Sequence, residues 1–260
     1  LLIARAKGIP VKAVGAVVPV PLNSIIARSD RGITTPKDLE GKTFATVGYG
    51  SAISTYTRGF LKDFYGVNIN TFKWLSGGPN RFEVYAKDIA IEFATGPRKS
   101  PVQRLLDGEA DASTGDITDA QAWKTLESTP TVKRMFPDYV ELNRKLWQEK
   151  GIFTPVHIIV MGGKLNREHP DLAKRLYDAF VQSKELAYSD ALGEGTSYSM
   201  LFAMRETMRD QLATLGDMYP YGIKANQGTI DMFLDYNVQQ GLTKNRMTVD
   251  QIFAKGTLDT

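Results

Sequence analysis

The sequence predicts an α/β fold, and three observations support this prediction. Short apolar runs rich in β-branched residues alternate with helical patterns up to about residue 161. Residues 43–65 follow the order strand, small-residue loop and helix, which is a building unit of α/β proteins. The chain after residue 170 is mostly helical in pattern, and the sequence contains no internal repeat.

Each predicted element has its own signal. Residues 1–8 resemble the end of a helix that stops at Gly8. Because the sequence does not begin with Met, we expect a preceding segment, which would include any signal peptide. Thr35 and Pro36 are typical of the N-cap and first residue of a short helix. Strands are predicted at residues 11–20, 24–28, 43–47, 72–75, 89–93 and 153–161. Further helices, of which 101–107 is short, are predicted at residues 52–65, 101–107, 140–150, 170–190, 200–215, 226–240 and 249–253.

Composition excludes several classes of function. The 260 residues carry 32 Lys and Arg and 29 Asp and Glu, giving a net charge of +3 without a basic stripe, so nucleic-acid binding is not predicted. Because there is no cysteine, disulfides and thiolate chemistry are excluded. Two histidines are too few for a multi-histidine zinc site, and no metal is predicted, although a divalent ion held by carboxylates stays open. The longest apolar stretch, residues 13–21, is too short to span a bilayer, so no membrane insertion is expected.

The loop at residues 48–54 is the best local candidate for a binding site. It precedes a predicted helix, whose first N–H groups are unpaired and lie at the positive end of the helix dipole, where an anion is stabilised. Gly50 permits close approach of a ligand, and the Tyr49 ring is placed to stack on one. The predicted ligand residues are Tyr49, Gly50, Ser51, Ala52 and Ser54. The alternative is a tight turn in which Ser51 serves only as the N-cap.

His157 is the candidate catalytic residue. It lies in the predicted strand at residues 153–161, where we expect the chain to cross between domains. An imidazole there could act as a general acid or base, or hold a ligand hydroxyl. The alternative is a core histidine whose hydrogen bonds are satisfied. His169, which precedes Pro170 at a helix start, is expected at the surface.

Charged side chains after predicted strands are candidates for binding an acid. Arg81 and Arg98 lie in such loops, where ligand contacts gather in open α/β sheets, and a guanidinium fits a carboxylate through two hydrogen bonds. Asp116 could accept a ligand hydroxyl or cap a nearby helix. Arg58, in the helix after the loop at residues 48–54, is a third arginine that could pair with an acid. The alternative for each of the three arginines is a solvated surface position, and we favour this alternative for Arg58.

Several segments carry a resemblance to a known family. Residues 33–42 resemble the segment that opens the second domain of NMT1/THI5-like and sulfonate-type solute-binding proteins. The C-terminal part resembles one branch, the 4,5-dihydroxyphthalate decarboxylase family, at residues 134–139, 151–157, 169–173, 176–180, 219–222, 240–243 and 256–259. Residues 21–24, Pro-Leu-Asn-Ser, depart from the aromatic-Arg-His-Ser pattern of that branch.

The resemblance implies a two-domain periplasmic-binding-protein type II fold with a ligand in the cleft between the domains. It implies that domain one comprises residues 1–40 and 157–260 and that domain two comprises residues 41–156. It also implies that the missing N-terminal segment carries the first strand–helix units of domain one.

Two functions follow from the resemblance. The first is non-oxidative decarboxylation of a hydroxylated aromatic acid, without an organic cofactor, because neither a dinucleotide-binding fingerprint nor a P-loop occurs. The second is a solute-binding protein that delivers a small organic anion to an ABC transporter. The enzyme is expected in the cytoplasm and the receptor in the periplasm. The sequence leaves open whether the chain forms homo-oligomers, and a thiamin-related function is a weaker third interpretation.

Overall fold

The computed structural model describes residues 2–17, 25–78, 89–95, 97, 99–114, 120–154, 157–193 and 202–260. Within these ranges the strands are β1 (Val11–Val17), β2 (Ile25–Arg28), β3 (Thr43–Thr46), β4 (Lys73–Ser76), β5 (Ala90–Phe93), β6 (Ala112–Thr114), β7 (Val132–Arg134) and β8 (His157–Gly162). The α-helices are α1 (Leu2–Ala6), α2 (Ala52–Tyr65), α3 (Pro101–Leu106), α4 (Ala120–Glu127), α5 (Tyr139–Lys150), α6 (Gly163–Glu168), α7 (Leu172–Leu192), α8 (Met204–Leu215), α9 (Gln227–Gln239) and α10 (Val249–Ile252). The mixed α/β class predicted from the sequence is confirmed.

The chain divides into two compact units, each assembled from separated segments. Unit 1 comprises Leu1–Pro19, Val140–Asp231 and Met247–Thr260, and unit 2 comprises Val20–Tyr139 and Met232–Arg246. The strand β2, which falls inside the residues 1–40 predicted for domain one, pairs with β6 and β7 in the sheet of unit 2. Most of α5, which falls inside the residues 41–156 predicted for domain two, belongs to unit 1.

Unit 1 combines a two-stranded antiparallel sheet with helices. Strands β1 and β8 pair from Val11 opposite Gly162 to Val17 opposite His157, with an irregularity between Ala13 and Gly15. A small core forms where Met161 of β8, Ala173 of α7 and Ala254 pack together, with Leu172 and Leu176 against them. The helix α7 confirms the prediction for residues 170–190. However, Phe180 and Leu186 on its predicted apolar stripe are 39% and 60% exposed.

Unit 2 is built on a six-stranded mixed sheet in the order β5-β4-β3-β6-β2-β7. The four strands β3, β4, β5 and β6 run parallel, whereas β2 runs antiparallel to β6 and β7. Because parallel strands end at the same edge of a sheet, the loops after β3 and β4 start side by side there. Gly77 donates its backbone N–H to the Thr46 carbonyl over 2.9 Å, which joins these two loops directly.

Helices cover both faces of this sheet. On one face Phe44, Phe72 and Trp74 form a buried aromatic cluster with ring centroids 5.1–5.8 Å apart. On the other face, a core of Ile26, Val102, Leu105, Leu126 and Val132 joins α3 and α4 to the sheet. Such two-sided burial accounts for the short, nearly continuous apolar runs that predicted strands in this part of the sequence.

The short helix before β3 agrees with its sequence signal. Residues Pro36–Leu39 form a 3-10 helix with Thr35 as N-cap, and Thr35 and Asp38 form a reciprocal capping box. None of the helices in the described ranges is both long enough and apolar enough to cross a membrane.

Candidate functional site

The start of α2 forms where the sequence predicted it, at the edge of the sheet of unit 2. Ser51 is the N-cap and its Oγ accepts a hydrogen bond from the Ser54 amide over 3.2 Å. The Ser51 hydroxyl also donates to the Ser54 hydroxyl over 2.8 Å, and the Ser54 hydroxyl is in turn hydrogen-bonded to Thr46. The loop hydroxyls therefore hold β3, the loop and α2 together.

The backbone at the start of α2 keeps donors available. The amides of Ser54 and Thr55 are satisfied by the side chain and carbonyl of Ser51. In contrast, the amides of Ala52 and Ile53 have no acceptor among the described residues. Ala52 and Ile53 are half-buried, and so are Gly50 and Ser51. Unpaired amides at a helix N-terminus can donate hydrogen bonds to a bound anion. Whether Ser51 contacts a ligand beyond capping the helix remains a prediction.

Tyr49, predicted to stack on a ligand ring, lies fully buried beneath the loop. Its ring meets the edge of the Trp74 ring, with 5.8 Å between centroids, and its hydroxyl donates to the Gln240 carbonyl over 3.2 Å. The Arg58 guanidinium covers one face of the ring at 3.8 Å from the centroid. Burial raises the pKa of the Tyr49 phenol, and the Arg58 charge opposes this rise.

Arg58 departs most clearly from its expected place. The sequence predicts a solvated surface position, but the residue is 0% exposed. Its position in α2 explains this burial, because residues three and four apart share a helix face and both Ser54 and Leu61 are buried. This spacing is a signal in the sequence that could have located Arg58 on the buried face. Its guanidinium lies over Tyr49 and 5.1 Å from the centre of the Trp74 ring.

Gln240, just after α9, fixes the Arg58 side chain. Arg58 Nε donates to Gln240 Oε1 over 2.7 Å, and Gln240 Nε2 donates to the Thr55 carbonyl over 2.9 Å. With the Tyr49 bond to its carbonyl, Gln240 therefore holds the loop, α2 and Arg58 at once. These hydrogen bonds bring together residues that are 182 and 185 positions apart in the sequence.

Three buried donor atoms in this cluster have no hydrogen-bond partner in the part of the chain that the structure describes: Arg58 Nη1, Arg58 Nη2 and Trp74 Nε1. Burial lowers the pKa of the Arg58 guanidinium to about 10, so the side chain is still a cation at neutral pH. The site is thus a buried positive charge with free donors, next to the start of a helix.

The other predicted site residues are placed separately. His157 is the first residue of β8 in unit 1, where it is exposed and pairs with Val17. The predicted strand at residues 153–161 is therefore observed from His157 onward. Arg81, Arg98 and Asp116 lie outside the described residues. Within the described ranges no group of three or more His, Cys, Asp or Glu side chains is arranged to hold a metal ion.

The sequence of this chain is similar to a family model and to a protein of known activity. The family model described as NMT1/THI5 like matches residues 1–95. The chain is 26% identical over 245 residues to 4,5-dihydroxyphthalate decarboxylase of Comamonas testosteroni, covering 92% of this chain and 73% of that protein.

The fold of this chain is similar to that of solved structures. The chain is similar to a putative periplasmic sulfonate-binding protein, SsuA, of Methylobacillus flagellatus, with a TM-score of 0.54 at 16% identity, covering 96% of this chain and 68% of the other. It is also similar to the periplasmic aliphatic sulphonate-binding protein SsuA of Escherichia coli, with a TM-score of 0.50 at 13% identity over 100% and 78% of the two chains. The fold is that of these periplasmic binding proteins. The resemblance inferred from the sequence is confirmed as similarity to NMT1/THI5-like proteins over residues 1–95 and to 4,5-dihydroxyphthalate decarboxylase over 92% of the chain.

Proposed function

We propose that this protein decarboxylates a hydroxylated aromatic acid of the 4,5-dihydroxyphthalate type. The observation that carries the proposal is the 26% identity to a 4,5-dihydroxyphthalate decarboxylase, because it extends over 92% of the chain rather than over one motif. The buried charge of Arg58, and the amides of Ala52 and Ile53 that lack an acceptor among the described residues, are consistent with an anionic substrate.

The proposed reaction is a non-oxidative replacement of CO2 by a proton. A phenol ortho or para to the departing carboxylate supplies electrons to the ring, which takes up a proton at the carbon that bears the carboxylate. The bond between that carbon and the carboxylate then breaks, its electron pair returns to the ring, and CO2 leaves. Fixed donors that hold the second carboxylate keep this carbon in place. No organic cofactor is required by the proposal.

His157 is the proposed proton donor. Its exposure on β8 lets the imidazole exchange protons with water between turnovers. Arg81, Arg98 and Asp116 remain proposed substrate contacts, together with Gly50, Ser51, Ala52 and Ser54 of the loop.

The experiment is a CO2-release assay on the 260-residue chain with 4,5-dihydroxyphthalate, in the presence of a divalent cation and in the presence of a chelator. We expect one CO2 and one 3,4-dihydroxybenzoate per substrate consumed. The variant His157→Ala should lose at least about 100-fold in kcat, the size of a general-acid contribution. His169→Ala is the matched control, since His169 is also exposed, and it should keep full activity.

A solute-binding protein is the second candidate function, favoured by the fold shared with the periplasmic sulfonate-binding proteins. It needs the same anion site but no proton donor. Saturable binding of aromatic acids without CO2 release, with a divalent cation present, would reject the decarboxylase in favour of this function.

A further inference from the structure

Arg58 brings a positive charge into the interior of unit 2, and no carboxylate of the described residues pairs with it. Moving an ion out of water is costly unless it is paired and hydrogen-bonded, so buried charges in proteins normally have a partner. Arg58 is 0% exposed, and its Nη1 and Nη2 atoms have no partner in the described ranges. Its only described hydrogen bond is the one from Nε to the neutral amide of Gln240.

A second buried arginine of unit 2 shows the usual arrangement. Arg104 of α3 is 5% exposed, and its Nη1 donates to the Glu109 carboxylate over 2.5 Å. The chain therefore supplies a counter-ion to one buried arginine of this unit, whereas the described residues supply none to the other.

We propose that the counter-ion of Arg58 is a carboxylate of the bound ligand, which accepts hydrogen bonds from both Nη atoms and from Trp74 Nε1. This inference rests on the proposed function in taking the ligand to be an organic acid. Because Gln240 occupies Nε, the free edge of the guanidinium is the one between Nη1 and Nη2. Two parallel N–H donors on that edge match the two oxygens of a carboxylate.

The surroundings of Arg58 hold this edge ready. The guanidinium carbon lies over the Tyr49 ring, 3.8 Å from its centroid, and the Tyr49 hydroxyl and Arg58 Nε both donate hydrogen bonds to Gln240. These contacts restrict the rotamers of a long side chain before the ligand arrives, which lowers the entropy cost of binding.

The location also favours an anion. Side chains of a helix lean towards its N-terminus, and the Arg58 guanidinium accordingly reaches Tyr49, which precedes the first residue of α2. The bound carboxylate would thus lie near the positive end of the α2 dipole and would add to the interaction with the guanidinium. Trp74 contributes a third donor, since its buried Nε1 has no partner among the described residues.

The test measures stability and binding in the same variants of the 260-residue chain. Phthalate is the probe for calorimetric titration because it lacks the hydroxyls that the reaction needs. Arg58→Met should bind phthalate about 100-fold more weakly, the loss expected when one partner of a buried ion pair is removed. Its thermal midpoint without ligand should stay equal or rise, because the variant removes an unpaired buried charge. Arg58→Lys, which keeps the charge but not the fork, should bind with intermediate affinity.

Arg104→Met is the matched control. It should bind phthalate as the wild type does while lowering the thermal midpoint, since it removes the buried one of the two cations that pair with Glu109. If Arg58→Met behaves in this way instead, with normal affinity and lowered stability, Arg58 is structural and the inference is wrong. Should Arg58→Met not fold, Trp74→Phe decides: about tenfold weaker binding by the folded variant supports the site, and unchanged binding contradicts it.

Two further outcomes separate this inference from the proposed activity. Binding of phthalate through Arg58 without CO2 release from 4,5-dihydroxyphthalate would preserve the carboxylate site and reject the decarboxylase. Equal CO2 release by wild type and Arg58→Met would reject the site and preserve the decarboxylase. A wild-type chain that binds alkanesulfonates but neither phthalate nor an aliphatic dicarboxylate would contradict the assignment of a carboxylate.

Discussion

Gly59 lies on the side of α2 that packs against Tyr236. A methyl group at this position would overlap the tyrosine ring, whose Cδ2 atom is 2.5 Å from the place of the methyl carbon. The ring is held at its far end, because the Tyr236 hydroxyl donates to the Asp63 carboxylate over 2.8 Å. Glycine here therefore serves close packing of a helix, although glycine is unfavourable in helices.

The effect of Gly59→Ala on stability depends on two opposing contributions, a gain in helix propensity and a cost of overpacking. Alanine gains about 1 kcal/mol in helix propensity, whereas overpacking of a buried site costs about 1–3 kcal/mol and is largest where a neighbour cannot move. Since Tyr236 is anchored at both ends, we expect the variant to be destabilised by about 1–2 kcal/mol. Urea unfolding followed by fluorescence measures this difference.

Gly228→Ala is the control, because nothing lies within 4 Å of the added methyl group on this α9 residue. It should leave stability unchanged or raise it by less than about 1 kcal/mol. A Gly59→Ala variant that is as stable as Gly228→Ala would show that the ring of Tyr236 moves aside.

At the scale of elements, the 3-10 helix Pro36–Leu39 depends on one carboxylate. Asp38 accepts hydrogen bonds from the amides of Thr34 and Thr35 over 2.9 and 2.7 Å. These hydrogen bonds lower the pKa of the Asp38 carboxyl to about 2, and the bond from the Thr34 amide has the largest effect. A carboxyl with a depressed pKa stabilises the fold above its unfolded pKa, near 3.8, and this contribution is lost as the pH falls through about 2.

The prediction concerns Asp38→Asn, which keeps the shape of the side chain without its charge. The wild type should have the higher thermal midpoint at pH 6, and the difference should shrink steadily between about pH 4 and about pH 2. Melting curves at several pH values for both proteins provide the measurement. A difference that does not vary with pH would mean that the charge of Asp38 contributes nothing to capping.

Sequence signals located elements well where the cause is local. The limits of α2 follow from Ser51 and Gly66, and the latter adopts a left-handed φ of 62° that ends the helix. Periodicity shows which side of α7 is apolar but not what covers it, and Phe180 and Leu186 are exposed. Helix α6 was missed because its first residue, Gly163, is a poor helix former that is required here by contact with Pro10. The spacing of Arg58 from Ser54 and Leu61 indicates its buried face, whereas nothing local indicates its partner Gln240, which is 182 residues away.

At the scale of the whole molecule, unit 2 is completed only when the chain returns to it. The segment Met232–Arg246 supplies Phe233 and Tyr236 to α2, with the Phe233 and Tyr56 rings 4.7 Å apart, and it supplies Gln240 to the candidate site. Contacts of such sequence separation carry a high entropy cost before they are made, so this segment is expected to join unit 2 late in folding.

This construction predicts where a bound acid protects the backbone. If the carboxylate pairs with Arg58, its effect should spread through Gln240 to both segments of unit 2, because Gln240 bonds Arg58 and the Thr55 carbonyl together. Phthalate at about 100 times its dissociation constant should raise the free energy of unfolding by about 2.7 kcal/mol. Hydrogen exchange followed by mass spectrometry should therefore slow in peptides that cover α2 and residues 232–246.

The same experiment on Gln240→Ala separates a fixed site from a loosely held one. This variant keeps Arg58 but removes both side-chain bonds, so binding should weaken and the protection should no longer reach residues 232–246. Gln239→Ala is the neighbouring control, since Gln239 accepts only an exposed bond from Lys62, and protection there should match the wild type. Protection confined to α2 in the wild type would contradict the coupling of the two segments through Gln240.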